Sequence, residues 1–526
     1  MRVLVREDRP LADLVARRLK LPSREVIKVH IVRRAIDARR KNNISFVYTL
    51  DVEVGPAEGQ VLARLNGDQD VAKSRESADE LLEPGTAELE HRPVVVGAGP
   101  AGLFAALFLA EHGYRPLVLE RGREVGRRSL DVARFWQTGE FDPVSNVQFG
   151  EGGAGTFSDG KLTTRVNDPR MAVVLDILVE AGAPPEIKYL HKPHVGTDKL
   201  REVVSRLRER IIARGGQVEF EAQVTDIEVD DGILKGLIIN ESKHVPCNLA
   251  LFGIGHSARD TYAMLCQRGL AMEAKPFAIG VRIEHPQELI DQSQYGNMAG
   301  HPKLGAADYA LVFHDKANGR TAYSFCMCPG GVVVAAASEA GGVVTNGMSL
   351  FKRDSGIANS ALVVNVTTAD FGSGILAGVE FQRHYERLAF RCGGENYYAP
   401  MQTIGDFLAG KTGSLSGLTK PSYRPGTKCA DLSDCLPDYV SLTLARALST
   451  FGGRIRGFDH PAALMTGVET RTSAPVRLLR GPDYLSYNMA GLYPIGEGAG
   501  YAGGIMSAAL DGMNAAAAII KKYKPF

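Results

Sequence analysis

Apolar residues recur with different periods along this chain, and the changes of period mark its elements. Residues 3–5 form a short apolar run, and Leu11, Leu14, Val15 and Leu19 fall on one helical face. Residues 26–36 and 44–54 alternate as strands do. The order predicts a small α+β module of βαββ type. Residues 66–91 are polar and read as a linker or short helix, so the first unit is expected to span 1–90.

From Val94 the alternation gives way to unbroken apolar runs. A strand through Val94, Val95 and Val96 leads by a glycine turn into a helical run that Gly113 closes, and residues 116–120 form a second strand. The stretch 94–110 imitates a membrane span, but Gly97, Gly99, Pro100 and Gly102 interrupt it. It also falls short of the roughly 18 residues a span needs, so it reads as a buried strand and helix. A β-rich stretch over 217–239, an apolar strand entering Gly253 and Gly255, and a strand over 491–495 before a helix of small residues complete the pattern. The expected fold class is α/β: a doubly wound Rossmann-type domain from residues 91–270 and 465–526, with an inserted α+β substrate domain at 271–464.

Composition narrows the classes of function. With 526 residues the chain is long enough for several cores. Its 61 basic and 60 acidic side chains leave a net charge of +1, which argues against general coating of nucleic acid. Residues 1–43 do carry 13 basic and 5 acidic side chains, a net of +8, while 51–91 carry 3 and 11, a net of −8. A basic face on the first module is therefore either a solvated surface balanced by an acidic linker or an RNA- or partner-binding face. Seven scattered cysteines fit a reducing compartment, and the N-terminus has no apolar signal core, so a cytoplasmic location is expected. The 58 glycines, without period, point to tight turns and close backbone approach to a ligand.

The strongest chemical signal is Gly97-Ala98-Gly99-Pro100-Ala101-Gly102 between a strand and a helix, with Glu120 ending the next strand, 18 residues after Gly102. Gly97 makes the tight turn, Gly99 lets backbone approach a pyrophosphate, and Gly102 lets helix and strand pack closely. The helix N-terminus offers unpaired N–H groups to phosphate, and Glu120 can accept from a ribose diol. Three further features favour FAD over NAD. Arg121-Gly122 follows the acid, and a second glycine-rich run, FGEGGAGTFSDGKLTTR, follows about thirty residues later. In it Gly152 and Gly153 bare their backbone while Thr156, Ser158 and Lys161 can reach phosphate or flavin edges. The strand entering Gly255 is where an interrupted nucleotide sheet would resume. Finally Gly496-Glu497 and a turn through Gly504 precede the helix that starts near Ile505, with Glu497 placed for ribityl hydroxyls and the helix N-terminus for the flavin pyrimidine edge. Pro100, Ala101 and Val224 complete the expected cofactor contacts.

These motifs carry a resemblance. VVVGAGPAGLFAA, FGEGGAGTFSDGKL, GHSARDT, KPFAIGVRIEHPQ, YSFCMCPGG, RDSGIANSALVVNV, GVETRTSAPVRL and IGEGAGYAGGI make the chain similar to two-dinucleotide-fold flavoproteins of the glutathione-reductase type. More narrowly it resembles a group of uncharacterised NAD(P)/FAD-dependent dehydrogenases, from residue 92 to the end, and the N-terminal module also fits that group. The resemblance implies a bound FAD and a substrate held by the inserted domain. It implies no particular substrate. A second GxGxxG with its own acid is absent from the insertion, so NAD(P)H is a candidate diffusible donor without a dedicated Rossmann domain.

Candidate reactive residues are few. Cys326 and Cys328 form a C-x-C: either a redox-active or substrate-facing thiol pair, or small side chains on one strand face; the nearby Tyr323 is a candidate to stack on or hydrogen-bond to substrate, or a core residue. Two such ligands cannot complete a tetrahedral metal site, and no metal is expected. His256, at a strand end, is a candidate acid or base or a structural hydrogen-bonding residue. Arg282 and Arg353 are candidate anchors for an anionic substrate or members of buried ion pairs. The expected function is an FAD-dependent oxidoreductase moving hydride between flavin and a small organic molecule. The alternatives are an RNA- or partner-associated flavoprotein and a non-catalytic flavin-binding scaffold.

Overall fold

The computed structural model describes residues 1–74, 82–413 and 417–525; the middle of the expected linker lies outside them. The N-terminal module has the expected βαββ order. Strand Arg2–Leu4 pairs antiparallel with Ser45–Glu53, which pairs antiparallel with Lys28–Asp37, and helix Leu11–Leu19 turns Val15, Ala16 and Leu19 inward. Part of the basic strand is used in attachment. The Arg34 amide donates to the Tyr189 carbonyl at 2.7 Å, the His191 amide donates to the Arg34 carbonyl at 2.9 Å, and the Arg34 guanidinium lies over Phe46 and Tyr189.

Five short parallel strands form the nucleotide sheet, in the order Leu492–Pro494, Ala250–Phe252, Val94–Val96, Leu117–Leu119, Gln217–Glu219. All but the edge strand Gln217–Glu219 are buried at every residue, which is why they read as continuous apolar runs. Helix Pro100–Glu111 starts on a proline, whose missing N–H costs nothing at that position, and nine of its residues are buried. It packs on helix Ile505–Lys522, where Gly512 permits the contact: a Cβ there would meet the Ala101 carbonyl oxygen at 2.0 Å. The segment that imitated a membrane span is thus interior, and among the described residues no helix is long and apolar enough to cross a membrane.

Between the nucleotide strands the chain builds a seven-stranded sheet. Its order is Val312–Asp315, Arg320–Cys328, Ile357–Val366, Phe277–Pro286, Leu464–Glu469, Ala399–Thr403, Thr427–Cys429, antiparallel except for the last pair. It is not a second parallel dinucleotide sheet. Strand Leu464–Glu469 belongs to it, so the expected boundary at residue 465 cuts a strand, and we place the return to the nucleotide unit after Glu469.

This sheet buries an uncompensated acid. Glu284 is fully buried, its Oε1 accepts from the Ser422 amide at 3.1 Å and from the Ser422 hydroxyl, and its Oε2 has no partner among the described residues. Burial pushes its pKa up from 4.5 to about 7, against the pull of Ser422. The folded chain therefore holds a proton that the unfolded chain releases. Stability from this group is complete at pH below 4.5 and is lost as pH rises to about 7. Glu284→Gln should remove that loss, so denaturant unfolding above neutral pH should show the variant more stable than the parent by about 2–3 kcal/mol. In acid, below the ordinary carboxylate pKa, the two should converge; a constant difference at every pH would contradict this assignment.

Candidate cofactor site

One cavity of about 420 Å³ runs from the carboxyl ends of the nucleotide strands to the seven-stranded sheet. Its near end is the glycine turn. Gly97 has φ +99°, and a Cβ on it would meet the Gly253 carbonyl oxygen at 2.4 Å. Gly99, Pro100 and Ala101 line the cavity, with nothing closer to a Gly99 Cβ than the Gly153 Cα at 3.9 Å, so the turn presents bare backbone. Gly102 does not face the cavity. A Cβ there would lie 1.9 Å from the Gly97 carbonyl oxygen, so its role is to let the helix approach the turn.

Glu120 lines the cavity and ties three segments together. Its Oε2 accepts from the Ala98 amide at 2.8 Å; its Oε1 accepts from the Gly122 and Gly150 amides, each at 2.9 Å. Oε1 is thereby saturated, while Oε2 keeps acceptor capacity for a hydroxyl. Arg121 also lines the cavity, its guanidinium donating to Asp260 at 2.9 Å and to Thr261 Oγ1 at 3.1 Å and lying 4.4 Å from the Phe149 ring centre. Val224 and Gly255 stand on the same wall.

The second glycine-rich run closes over the turn because of a residue the sequence pattern did not single out. Arg128, fully buried on helix Val125–Thr138, donates to five backbone carbonyls: Asn146, Val147 and Gly153 at 2.9 Å, Glu151 at 2.6 Å and Gly150 at 3.3 Å. Burial lowers its pKa to about 10, with Glu120 and Glu151 opposing, so it stays charged at neutral pH. An arginine inside an amphipathic helix carries no sequence mark of this role. From the run, Gly153, Ser158 and Lys161 line the cavity. Gly152 and Thr156 do not. A Cβ on Gly152 would meet Thr156 Oγ1 at 2.0 Å, and Thr156 is buried with its hydroxyl turned back to the Glu151 carbonyl at 3.3 Å. Their expected contact with phosphate or flavin is corrected to support from behind.

At the far end Glu497, Gly504 and Ile505 line the cavity, and the Gly504 amide donates to Glu497 Oε2 at 3.1 Å. Burial raises the Glu497 pKa to about 7, opposed by the Gly504 N–H and the charge of Lys275. A Cβ on Gly503 or Gly504 would meet no atom within 4 Å, so this turn too is open backbone at a helix N-terminus. Gly496 faces away: its amide donates to Asp511 at 2.6 Å, and a Cβ on it would meet Ala101 Cβ at 2.6 Å.

The seven-stranded sheet supplies the last wall. Cys326 and Glu469 line it, with His256 and Arg471 beside them. His256 contacts Ser257 Oγ at 2.9 Å through Nδ1, and burial, with the charges of Arg471 and Arg259, lowers its pKa to about 3. It is a neutral hydrogen-bonding group at ordinary pH and carries no proton to donate as an imidazolium. Behind it Arg259 and Arg471 both pair with the buried Glu386, at 2.7 Å and 3.0 Å.

Four expected reactive residues lie off the cavity surface. Arg282 is fully buried; it pairs with both oxygens of Glu469 at 2.9 and 3.0 Å and donates to the Cys326 carbonyl, Asn359 and Asn346. Its donors are committed, so it positions the wall rather than anchoring a substrate. Arg353 is likewise committed to Asp159, at 2.9 and 2.5 Å. Tyr323 packs with Phe325 on the small cluster of Ala278, Ala361 and Val363. Cys328 is buried behind Cys326. The two cysteines therefore do not share an exposed strand face, because a bulge separates Phe325 from Cys328 in the pairing with Ile357–Val366. Among the described residues no cluster of His, Cys, Asp or Glu is arranged to hold a metal ion.

Comparison with known proteins gives three family matches: an FAD-dependent protein C-terminal domain over residues 276–472, an NAD(P)-binding Rossmann-like domain over 95–148, and a domain of unknown function over 3–53. An uncharacterized protein of Clostridium beijerinckii is 51% identical over 98% of this chain and 96% of its own length. Among solved structures, FqzB aligns at 14% identity over 82% of this chain and 75% of its own, with a TM-score of 0.36. Glycine oxidase from Bacillus cereus aligns at 12% identity over 82% and 95%, with a TM-score of 0.33.

Proposed function

The chain belongs to the family of FAD-dependent oxidoreductases that join a Rossmann-like nucleotide domain to this C-terminal domain, and from that premise we propose that it moves hydride between a tightly held FAD and a small organic substrate. The observation that carries the reading is a continuous cavity bounded at its two ends by open glycine turns at helix N-termini, one beside Glu120 and one beside Glu497. A long dinucleotide has phosphates and a ribose diol to place at the first end and a polar ring edge to place at the second.

In this reading the backbone of Gly97–Ala101 and of the loop around Gly153 would hold the diphosphate, and Glu120 Oε2 would take a ribose hydroxyl. Glu497 would take a ribityl hydroxyl, and the N–H groups of the turn at Gly504 would favour negative charge on the ring's pyrimidine edge. When bound, FAD supplies the hydride acceptor or donor. The protein's own part is to orient and to exclude water. The wall of His256, Cys326, Glu469 and Arg471 is where a substrate would meet the ring, with Arg282 fixing that wall from behind. We keep the glutathione-reductase-type subclass as an expectation from motif resemblance; the antiparallel insertion means that any NAD(P)H would reach the ring as a diffusible donor.

The test is an absorption spectrum of the purified protein, then anaerobic titration with NADH and with NADPH. Oxidised-flavin absorption that one nicotinamide bleaches is the expected result. Flavin that neither reduces would point to the substrate as hydride donor or to the scaffold alternative. Failure to retain FAD after reconstitution would overturn the proposal.

A further inference from the structure

Cys326 lines the cavity with Cys328 buried behind it, and cofactor binding uses neither thiol. Strand Arg320–Cys328 runs in register with Ile357–Val366 as far as Phe325, then bulges, and pairing resumes at Cys328. Within the bulge Cys326 takes a left-handed backbone, φ +43°, which a cysteine adopts only when its surroundings impose it. The surroundings are specific. The Arg282 guanidinium holds the Cys326 carbonyl at 2.9 Å, the Lys161 ammonium holds the next carbonyl, that of Met327, and the Cys328 thiol lies 3.3 Å from the Cys326 carbonyl. The result turns Cys326 into the cavity and keeps Cys328 directly behind it, out of solvent.

We propose that Cys326 and Cys328 are a redox-active dithiol that exchanges an electron pair with the FAD of this cavity. The step balances without another reagent. The two thiols give up two protons and two electrons, a sulfur–sulfur bond forms between them, and the oxidised flavin takes the electron pair with its protons. In reverse, reduced flavin cleaves that bond and regenerates both thiols. Cys326, at the surface, is the sulfur that meets flavin or substrate. Cys328 is the resolving partner. The inference rests on the FAD reading above.

The electrostatics suit the assignment. The Cys328 thiol, the Lys161 ammonium and the Arg282 guanidinium together hold the Cys326 thiol well below its ordinary pKa in spite of burial. Cys328, beside that sulfur and buried, is pushed up. The other charged groups facing the pair are acidic Asp159, Glu469 and Glu497, and two of these are already paired with cations: Asp159 with Lys161 and Arg353, Glu469 with Arg282. The strand thus sets a thiol of lowered pKa in front of one of raised pKa, an asymmetry suited to attack on a disulfide or closure to one.

The test uses the holoprotein and reads the cysteines directly. Tryptic cleavage after Arg320 and Lys352 releases residues 321–352, which contain Cys326 and Cys328 and no other cysteine. Air-oxidised and dithionite-reduced holoprotein are denatured in iodoacetamide and this peptide is weighed. Expected is an unalkylated peptide lighter by two hydrogens from the oxidised sample, and a doubly alkylated peptide from the reduced one. In anaerobic dithionite titration the parent should consume about twice the reductant per flavin that Cys326→Ser or Cys328→Ser consumes, both variants retaining bound flavin. Double alkylation in both samples, with equal reductant uptake by parent and variants, would overturn the dithiol while leaving FAD binding intact. A protein without flavin would fail the earlier reading instead. Should a variant not fold, the peptide masses of the parent decide alone.

Discussion

Replacing Arg128 by alanine is expected to abolish retention of FAD and to destabilise the protein by about 3–5 kcal/mol, the scale of removing a charged partner from a buried polar network. Five carbonyls of residues 146–153 converge on this one guanidinium, and none can turn to water without opening the loop. An unpaired buried carbonyl costs about 1–3 kcal/mol, so the loop will move rather than stay unpaired. Moving it also withdraws the Gly150 amide from Glu120 and the Gly153 backbone from the cavity. Arg128→Lys separates charge from geometry. It keeps the cation but offers one point of donation in place of a planar fork. The lysine variant should fold, yet bind FAD more weakly than the parent by about tenfold or more, read by equilibrium dialysis or flavin fluorescence. Lysine binding FAD as tightly as the parent would show that charge alone suffices.

Adding one methyl at Gly102 should have a comparable effect on the cofactor by a purely steric route. The Cβ of Gly102→Ala would sit 1.9 Å from the Gly97 carbonyl oxygen and 3.2 Å from Val95 Cγ1, and the first of these is backbone that cannot rotate away. Helix Pro100–Glu111 must then lift from strand Val94–Val96, which displaces the N–H groups that meet the diphosphate. The expected loss of FAD affinity is about 100-fold, roughly 3 kcal/mol. Gly453→Ala is the control. It lies in helix Asp438–Arg454 with no atom within 4 Å of the new methyl, and should leave FAD bound while raising stability by about 0.5–1 kcal/mol. Unchanged affinity in Gly102→Ala would mean that the turn and helix are held apart more loosely than their spacing indicates.

The two residues differ in how they announce themselves. Gly102 stands in a spaced motif whose glycines each answer a local demand, so its role could be read before any fold was known. Arg128 stands in a helix among other charged residues, and its role arises only when residues 146–153 fold around it. The same contrast divides the expected reactive residues. The motif-borne Glu120, Gly99 and Gly504 reach the cavity, and Glu120 is further tied to three amides that no spacing rule foretells. Arg282 and Arg353 offered the right chemistry for an anion, yet each is spent on a carboxylate that only the tertiary structure brings to it. Thr156 turned inward because Gly152, one turn earlier, leaves room for its hydroxyl.

What the chain alone determined is local: strands buried on both faces, glycine turns at helix starts, and the acid that ends the second strand, because each is set by backbone sterics and by burial within a few residues. The tertiary structure decided where long-range partners meet. It set the antiparallel insertion beside a parallel sheet, the arginine that gathers five carbonyls, and the bulge that turns Cys326 to the cavity and Cys328 behind it. Those outcomes depend on charge pairing and hydrogen-bond saturation between segments far apart in sequence, and no period or spacing along the chain records them.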